Sequence, residues 1–183
     1  MRYFRKIVGA RLYLSPFDAD DEEIYSKWAE WMNDRTIADG YGGHHSLFSL
    51  ASAKKTLGEL QSNGKRFAMV LLDGDVLIGH ISLHDIDHRS RNAFFGIFIG
   101  EEAHRGKGYG AEATRLILEY GFRTLNLHNI ALSVHADNHA GIACYKNVGF
   151  QEVGRRREWL FKDGKYLDVI YMDILAREFN DKT

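Results

Sequence analysis

The sequence predicts a single-domain α/β fold, and three observations carry that expectation. Alternating apolar runs of strand length recur along the chain, with hairpin signals at Asp73-Gly74 and at Lys162-Asp163-Gly164-Lys165. Segments of helical period lie among them, clearest in Ala113, Leu116, Ile117 and Tyr120. The third observation is Arg105-Gly106-Lys107-Gly108-Tyr109-Gly110, set between an apolar run, Phe94 to Ile99, and a helix-like run, Ala111 to Phe122. Length agrees, since a chain of 183 residues buries roughly 70% of the surface its unfolded form exposes. No linker or repeat interrupts it, so one domain over 1–183 is expected, with a core from about 10 to 175.

Arg11 to Leu14 reads as the first strand, ended by Pro16, the single proline. Asp20-x-x-Glu23 has the form of a capping box, and Ile24, Trp28, Trp31 and Met32 recur at helical spacing, the tryptophans as core anchors. Ile37 to Phe48, with Tyr41, Gly42, Gly43, His44 and His45, reads as a polar, aromatic loop able to line a pocket. Its adjacent histidines face one metal poorly from so short a loop. A second helix runs from about Ser49 to Leu60 and stops near Asn63-Gly64. Phe67, Met69 and Leu71 alternate in the next strand, and Val76, Ile78, Ile81 and Leu83 return, with Gly79 marking a bulge. His80, His84 and His88 are spaced by four, but in strand and turn His88 leaves the face of the other two.

A polar connection, Asp85 to Asn92, leads to the central strand Ala93 to Ile99. After the glycine stretch and its helix come a strand carrying Ile130, Leu132 and Val134, and a short helix, His139 to Asn147, closed by Gly149. Gln151 to Phe161 and Tyr166 to Leu175 form the last hairpin. The predicted order is βααβββαβαββ.

Composition narrows the function classes. Net charge is −1, with 24 basic and 25 acidic residues, which leaves no electrostatic footprint for nucleic acid. Arg155-Arg156-Arg157 reads as a solvated strand edge. A lone Cys144 gives no disulfide framework, and the N-terminus lacks the apolar run of a signal peptide, so a cytoplasmic location is expected. The longest apolar runs fall short of the roughly 20 residues that span a membrane.

The glycines of the third observation let the backbone turn tightly and approach a ligand, and the following helix aims its free N–H groups at that turn. This combination favours a pyrophosphate, flanked by the cations Arg105 and Lys107. A Walker A loop is excluded because Ala111 and Glu112, not Lys-Ser/Thr, follow Gly110. Gly106-x-Gly108-x-x-Ala111 satisfies a dinucleotide fingerprint, with Asp137 closing the next strand. Too few βα units remain after Ala111 to complete a dinucleotide-binding half.

The pattern Arg105-x-x-Gly108-x-Gly110, opening a helix late in the chain, resembles the acyl-CoA loop of the GNAT superfamily of N-acetyltransferases. A second stretch, Asn138-His139-Ala140-Gly141-Ile142-Ala143-Cys144-Tyr145-Lys146-Asn147-Val148-Gly149-Phe150, is similar to that superfamily's Asn-x-x-Ser-x-x-x-Tyr-x-Lys-x-Gly-Phe. It departs at Gly141 and Asn147. Asp163-Gly164-Lys165-Tyr166-x-Asp168 and Tyr120-Gly121-Phe122 look like the ribosomal-protein N-acetyltransferase branch, which also holds polyamine, amino-sugar and antibiotic acetyltransferases.

The resemblance covers about Ala10 to Leu175 and implies a central mixed, twisted sheet flanked by helices, in which two parallel strands splay beside the glycine loop. It implies acetyl-CoA as cosubstrate, no metal, and a primary amine of a small molecule or peptide as acceptor: a protein N-terminus, a polyamine or an amino sugar. Dimers are common in similar proteins, so a homodimer is a further expectation.

By the same resemblance, Ile97, Phe98 and Ile99 contact the pantetheine arm, Asn138 bonds it from the far side, and Arg105, Gly106, Lys107, Gly108, Tyr109 and Gly110 hold the pyrophosphate. Tyr145 is the implied general acid. Many members carry a glutamate base on the central strand, where this chain has Phe94. His84, Asp85 and His135 stand as alternatives, as does a water chain. Two rival readings remain, an acyl-CoA-binding sensor without catalysis and a dinucleotide-dependent enzyme.

Overall fold

The structure, a computed structural model, describes residues 3–16, 21–41, 47–62 and 64–180. Its elements are β1 (Ile7–Val8), β2 (Leu12–Pro16), α1 (Glu22–Asn33), α2 (Arg35–Tyr41), α3 (Leu50–Ser62), β3 (Gly64–Leu71), β4 (Leu77–Asp87), β5 (Asn92–Ile99), α4 (Tyr109–Glu119), β6 (Asn129–His135), α5 (His139–Val148), β7 (Gln151–Lys162), β8 (Lys165–Leu175) and α6 (Ala176–Asn180). The strands form one sheet in the order β1-β2-β3-β4-β5-β6-β8-β7. It is mixed, because β5 and β6 run parallel while their neighbours are antiparallel. The predicted order is present, with β1, α2 and α6 added to it.

Both faces of the central strands are covered. Phe67, Met69, Ile81, Leu83 and Phe95 pack with Ile117 and Leu118 of α4. Tyr13, Ala68 and Val70 pack with Trp28 and Trp31 of α1 and Leu57 of α3. This is why β3 is buried continuously from Arg66 to Leu71 rather than only at Phe67, Met69 and Leu71. Trp28 and Trp31 are core anchors, each under 5% exposed.

Three boundaries differ from the sequence reading. The carboxylate of Asp21 caps α1, accepting from the N–H of Glu23 and Ile24 at 3.0 and 3.3 Å, so the cap sits one residue after the expected one. Asp20 lies outside the described residues. The supposed loop from Ile37 begins as a helix: the Asp34 carboxylate accepts from Thr36 N–H at 2.8 Å, and Ile37 and Ala38 are buried. Gly42, Gly43, His44 and His45, with the reading placed on them, lie outside the described residues. Finally, α4 stops at Glu119 and continues as a π-turn, Tyr120–Thr124, where the chain presses Gly121 onto the sheet: a Cβ there would stand 2.8 Å from Ile130.

The expected bulge is present. Met69 pairs with Gly79 and Val70 with Leu77, which leaves Ile78 extra on β4. The turn Asp163-Gly164 has positive φ at both residues, as a tight hairpin requires. No helix among the described residues is long and apolar enough to cross a membrane. Among them no group of three or more His, Cys, Asp or Glu is placed to hold a metal ion.

His80 is 1% exposed, its ring tilted against Phe98 at 5.5 Å. Burial, then Arg66 and His84, push its imidazole from 6.5 down to about 3. The unfolded chain therefore takes up this proton first as pH falls. The stability is complete above pH 6.5 and is lost as pH drops toward 3, by up to about 1.4 kcal/mol per unit. Urea unfolding at pH 7.5 and 5.0 is expected to show a pH penalty smaller by about 2 kcal/mol in His80→Gln than in the wild type. Equal penalties would show that His80 is protonated in the native state.

Candidate functional site

The site begins where the parallel ladder ends. β5 and β6 pair at Asn92–Asn129, Ala93–Ile130 and Phe94–Ala131 and no further, while β6 stays paired with β8 through His135. Beyond Phe94 each strand follows its antiparallel neighbour, and sheet twist carries the two apart. The gap is a cleft of about 1050 Å³ that opens through the sheet. Ile97, Phe98 and Ile99 line one wall, and Ser133, Val134 and His135 line the other. Ordinary ligand pockets are about 300–1,000 Å³, so this one has room for an extended ligand.

At the α4 end the glycine stretch forms the mouth. Gly106 and Gly108 hold φ of +71° and +83°, left-handed values that side chains resist. Gly108 is the N-cap of α4, and the first helical bond runs from Glu112 N–H to its carbonyl at 3.1 Å. The amides of Tyr109, Gly110 and Ala111 therefore have no acceptor within the helix, and Gly108, Gly110 and Ala111 line the cleft. A Cβ at Gly106 would meet nothing within 4 Å, so that side of the backbone is open to a ligand. These features fit a diphosphate.

The side chains of the stretch are placed differently from its backbone. Arg105 lines the cleft, but its guanidinium donates to the carbonyls of Ile99 and Gly100, both at 3.1 Å, and so fixes the end of β5. Lys107 is exposed and outside the lining, and its carbonyl accepts from Arg11 at 2.9 Å. The Tyr109 ring lies beneath the Arg11 guanidinium at 4.7 Å. Arg11 also bonds the Glu112 carboxylate through its N–H and Nε at 2.7 and 2.8 Å. Burial pushes that carboxyl up, but these bonds outweigh it and hold it below the usual glutamate value. Arg11 thus braces the back of the mouth.

Tyr145 and Asn138 stand along the cleft on α5 and its cap. The half-buried Tyr145 ring meets Phe95 and Phe150 edge-on at 5.9 and 6.0 Å. Burial, helped by Cys144, pushes the phenol well above its ordinary value, so its proton is firmly held. Asn138 Oδ1 accepts from Gly141 N–H at 2.9 Å. A Cβ at 141 would come within 2.8 Å of the Asn138 amide, so Gly141, a departure from the family pattern, gives that side chain room. The other departure, Asn147, also lines the cleft.

On the face below α2 the floor carries Arg66, His84, Phe94 and His135. Phe94 is 40% exposed at the point of splay, and its carbonyl lies 3.0 Å from His84 Nδ1. Burial, then Arg66, push the His84 imidazole down, against a smaller opposing effect of Asp85. His84 and His135 therefore reach the cleft, whereas Asp85 is exposed outside its lining. Thr36, Ile37 and Gly40 of α2 close one side, and Trp159 and Tyr171 of the last hairpin close the other. The hairpin bulges between Arg156 and Leu160, where Glu158 has φ +51°, and the Arg156 guanidinium sits 4.5 and 5.1 Å from the Trp159 and Tyr171 rings. Arg156 is thus more than a solvated edge residue. Lys162 joins Asp39 of α2 at 3.4 Å and Asp137 at 3.7 Å.

Arg11, Arg66 and Trp159 were missed in the sequence reading. Parity could have found Arg66, a cation in phase with Ala68 and Val70 on a strand. Nothing local announces Trp159, which depends on the bulge.

The chain matches the family model described as an acetyltransferase (GNAT) domain over residues 11–151. It is 31% identical over 176 residues to the uncharacterized N-acetyltransferase YnaD of Bacillus subtilis (strain 168), covering 95% of this chain and 99% of that protein. It is 37% identical over 107 residues to a spermidine N(1)-acetyltransferase of Vibrio cholerae, 58% of this chain, and spans 61% of that relative's length. The crystal structure of spermidine N-acetyltransferase from Vibrio cholerae in complex with CoA and spermine superposes with a TM-score of 0.83 at 28% identity, covering 92% of this chain and 98% of that one. The opened sheet, the glycine mouth of α4 and these matches together show that the chain belongs to the GNAT acetyltransferase family.

Proposed function

We propose that this chain transfers an acetyl group from acetyl-CoA to a primary amine, directly, with both substrates bound at once. The observation that carries the reading is the continuous cleft, which runs from the free amides of α4 past Tyr145 to the floor below α2. Acetyl-CoA supplies the acetyl group already activated as a thioester. The amides of Gly108 to Ala111 hold its diphosphate, Ile97 to Ile99 and Asn138 hold its arm, and a main-chain N–H of β5 polarises the carbonyl. The amine nitrogen forms the C–N bond as the C–S bond breaks. The bound ammonium gives up one proton before attack and the nitrogen a second as the amide forms; Tyr145 gives one to the leaving thiolate and regains one from the nitrogen, so one proton is released overall.

An alkyl amine of pKa near 10.4 is almost wholly protonated at neutral pH, so a group must accept that proton. Phe94 stands where family members carry a glutamate, and His84 and His135, both at the cleft, take that place. Burial lowers His84 and keeps it neutral, the form that accepts a proton.

A thiol-release assay with acetyl-CoA and a panel of peptides, amino acids, polyamines and amino sugars is expected to show acceptor-dependent turnover. Tight acetyl-CoA binding with no turnover on any acceptor would replace the enzyme with a sensor, the reading that Phe94 favours.

A further inference from the structure

Resting on that acetyl-transfer reading, we infer that the acceptor amine carries an apolar group of ring size beside its nitrogen, and that Trp159 selects it. Three observations converge.

The first is where Trp159 lies. Ser133 alternates with Leu132 and Val134, which are buried in the core that packs against α4, so Ser133 and its partner Tyr171 face the opposite side, the side of α2. The Arg156 guanidinium sits 5.1 Å from the Tyr171 ring and 4.5 Å from the Trp159 ring, which puts the indole on that same side. The diphosphate mouth belongs to α4. Trp159 therefore borders the other end of the cleft, where the acceptor enters.

The second is how the chain puts it there. From Arg156 to Leu160 β7 advances four residues while β8 advances two, from Val169 to Leu167, so β7 carries two extra residues. Consecutive side chains of a regular strand face opposite sides, yet Trp159 and Leu160 both line the cleft. The bulge costs strain. Glu158 sits at φ +51°, held by Asp168, whose carboxylate accepts its N–H at 2.9 Å and pairs with Arg155 at 3.2 Å. Strain that neighbours hold in place gathers where a side chain is aimed for function.

The third is what faces the indole. Phe94 alternates with buried Ala93 and Phe95 and so shares the side of α2. Phe94 and Trp159 are 40% and 62% exposed, and both line the cleft. Between the strands of Phe94 and Tyr171 runs β6, which offers there the small side chains of Ala131, the partner of Phe94, and Ser133. Neighbouring strands lie about 4.8 Å apart, so β5 and β8 stand about 10 Å apart, enough for one ring or branched aliphatic group. Taking these apolar faces out of water favours an apolar occupant. A group seated against Phe94 also holds its amine beside His84, whose ring meets the Phe94 ring edge-on at 6.1 Å.

The test is a set of matched acceptors assayed with the wild-type protein: phenethylamine against ethylamine, leucinamide against glycinamide, and spermidine alone. The apolar member of at least one pair is expected to be preferred in kcat/KM by about 10-fold or more, the effect of burying most of a large apolar side chain. The two pairs separate an aromatic from an aliphatic group.

In Trp159→Ala the preference is expected to fall to near unity, mainly through the KM of the apolar member, with acetyl-CoA affinity in a calorimetric titration retained. Trp159→Phe should keep most of it. Arg156→Met, which keeps the stem and removes the guanidinium, should lower it in part, because the indole is then free to turn away. Turnover of ethylamine, glycinamide or spermidine ahead of both apolar members would overturn the inference and leave the transferase intact. A preference undiminished in Trp159→Ala would likewise overturn it. A panel with no turnover at all would instead remove both the inference and the transferase. Should Trp159→Ala fail to fold, the matched pairs and Arg156→Met still decide.

Discussion

Gly108→Val is expected to weaken acetyl-CoA binding by at least about 100-fold in a calorimetric titration while leaving a cooperative unfolding transition. Two effects add. The residue sits at φ +83°, where a β-branched side chain costs on the order of 1–3 kcal/mol, so the backbone at the start of α4 would turn toward ordinary values and re-aim its amides. The new Cβ would also stand 3.3 Å from Arg11 Nη2, the side chain that braces the mouth. Against a usual stability of 5–15 kcal/mol the strain is affordable to the fold, whereas a diphosphate held by several aligned amides loses most of them together. Gly106→Ala is the control. It shares the left-handed strain, at φ +71°, but its Cβ meets nothing within 4 Å, so it reports that strain without the contact at Arg11. Wild-type affinity in Gly108→Val would remove the mouth as the diphosphate site.

The mouth was legible in the sequence because its chemistry is local: glycine spacing, a strand before and a helix after. The splay of β5 from β6 was implied only by resemblance, since no residue near Phe94 marks where a parallel ladder ends. Arg105 illustrates a different limit. Its type and position suggest a phosphate contact, yet the carbonyls of Ile99 and Gly100, left at the end of a strand, take its guanidinium. A cation beside a phosphate loop and a cation that ties off a strand read alike until the chain is folded. The same holds for α2, whose first turn depends on Asp34 capping a new helix at the residue that ends the old one. Two helices meeting at one residue give no polar break for periodicity to detect.

The floor below α2, where the acceptor is proposed to bind, was the least legible part. It is assembled from β3, β4, β5 and β6, residues 66 to 135, one or two side chains from each. Each contribution, an arginine on one strand or a histidine on the next, is unremarkable within its own segment. Only register brings them onto one surface, and register is a property of the whole sheet.

Tyr145→Phe is expected to lower kcat by about 100-fold, the low end of the usual range for general acid catalysis, and to leave acetyl-CoA affinity within about threefold. The low end follows from the leaving group: a thiol of pKa near 8.5 departs fairly well unaided. Affinity should hold because the ring keeps its edge contacts with Phe95 and Phe150, and only the hydroxyl is removed. The drop in kcat distinguishes catalysis from packing, and the pH profile follows from burial of the phenol. Burial raises the phenol's pKa above the unfolded value of about 10, so the neutral, proton-bearing form is complete below pH 10 and is lost only as pH climbs past the raised value. From pH 7 to 9.5 the Tyr145→Phe curve should run parallel to that of the wild type, displaced downward, with no alkaline fall in the wild type assignable to this group. Loss of affinity in step with kcat would make the hydroxyl a binding contact, and turnover equal to wild type would make the residue part of the packing between α5 and β5.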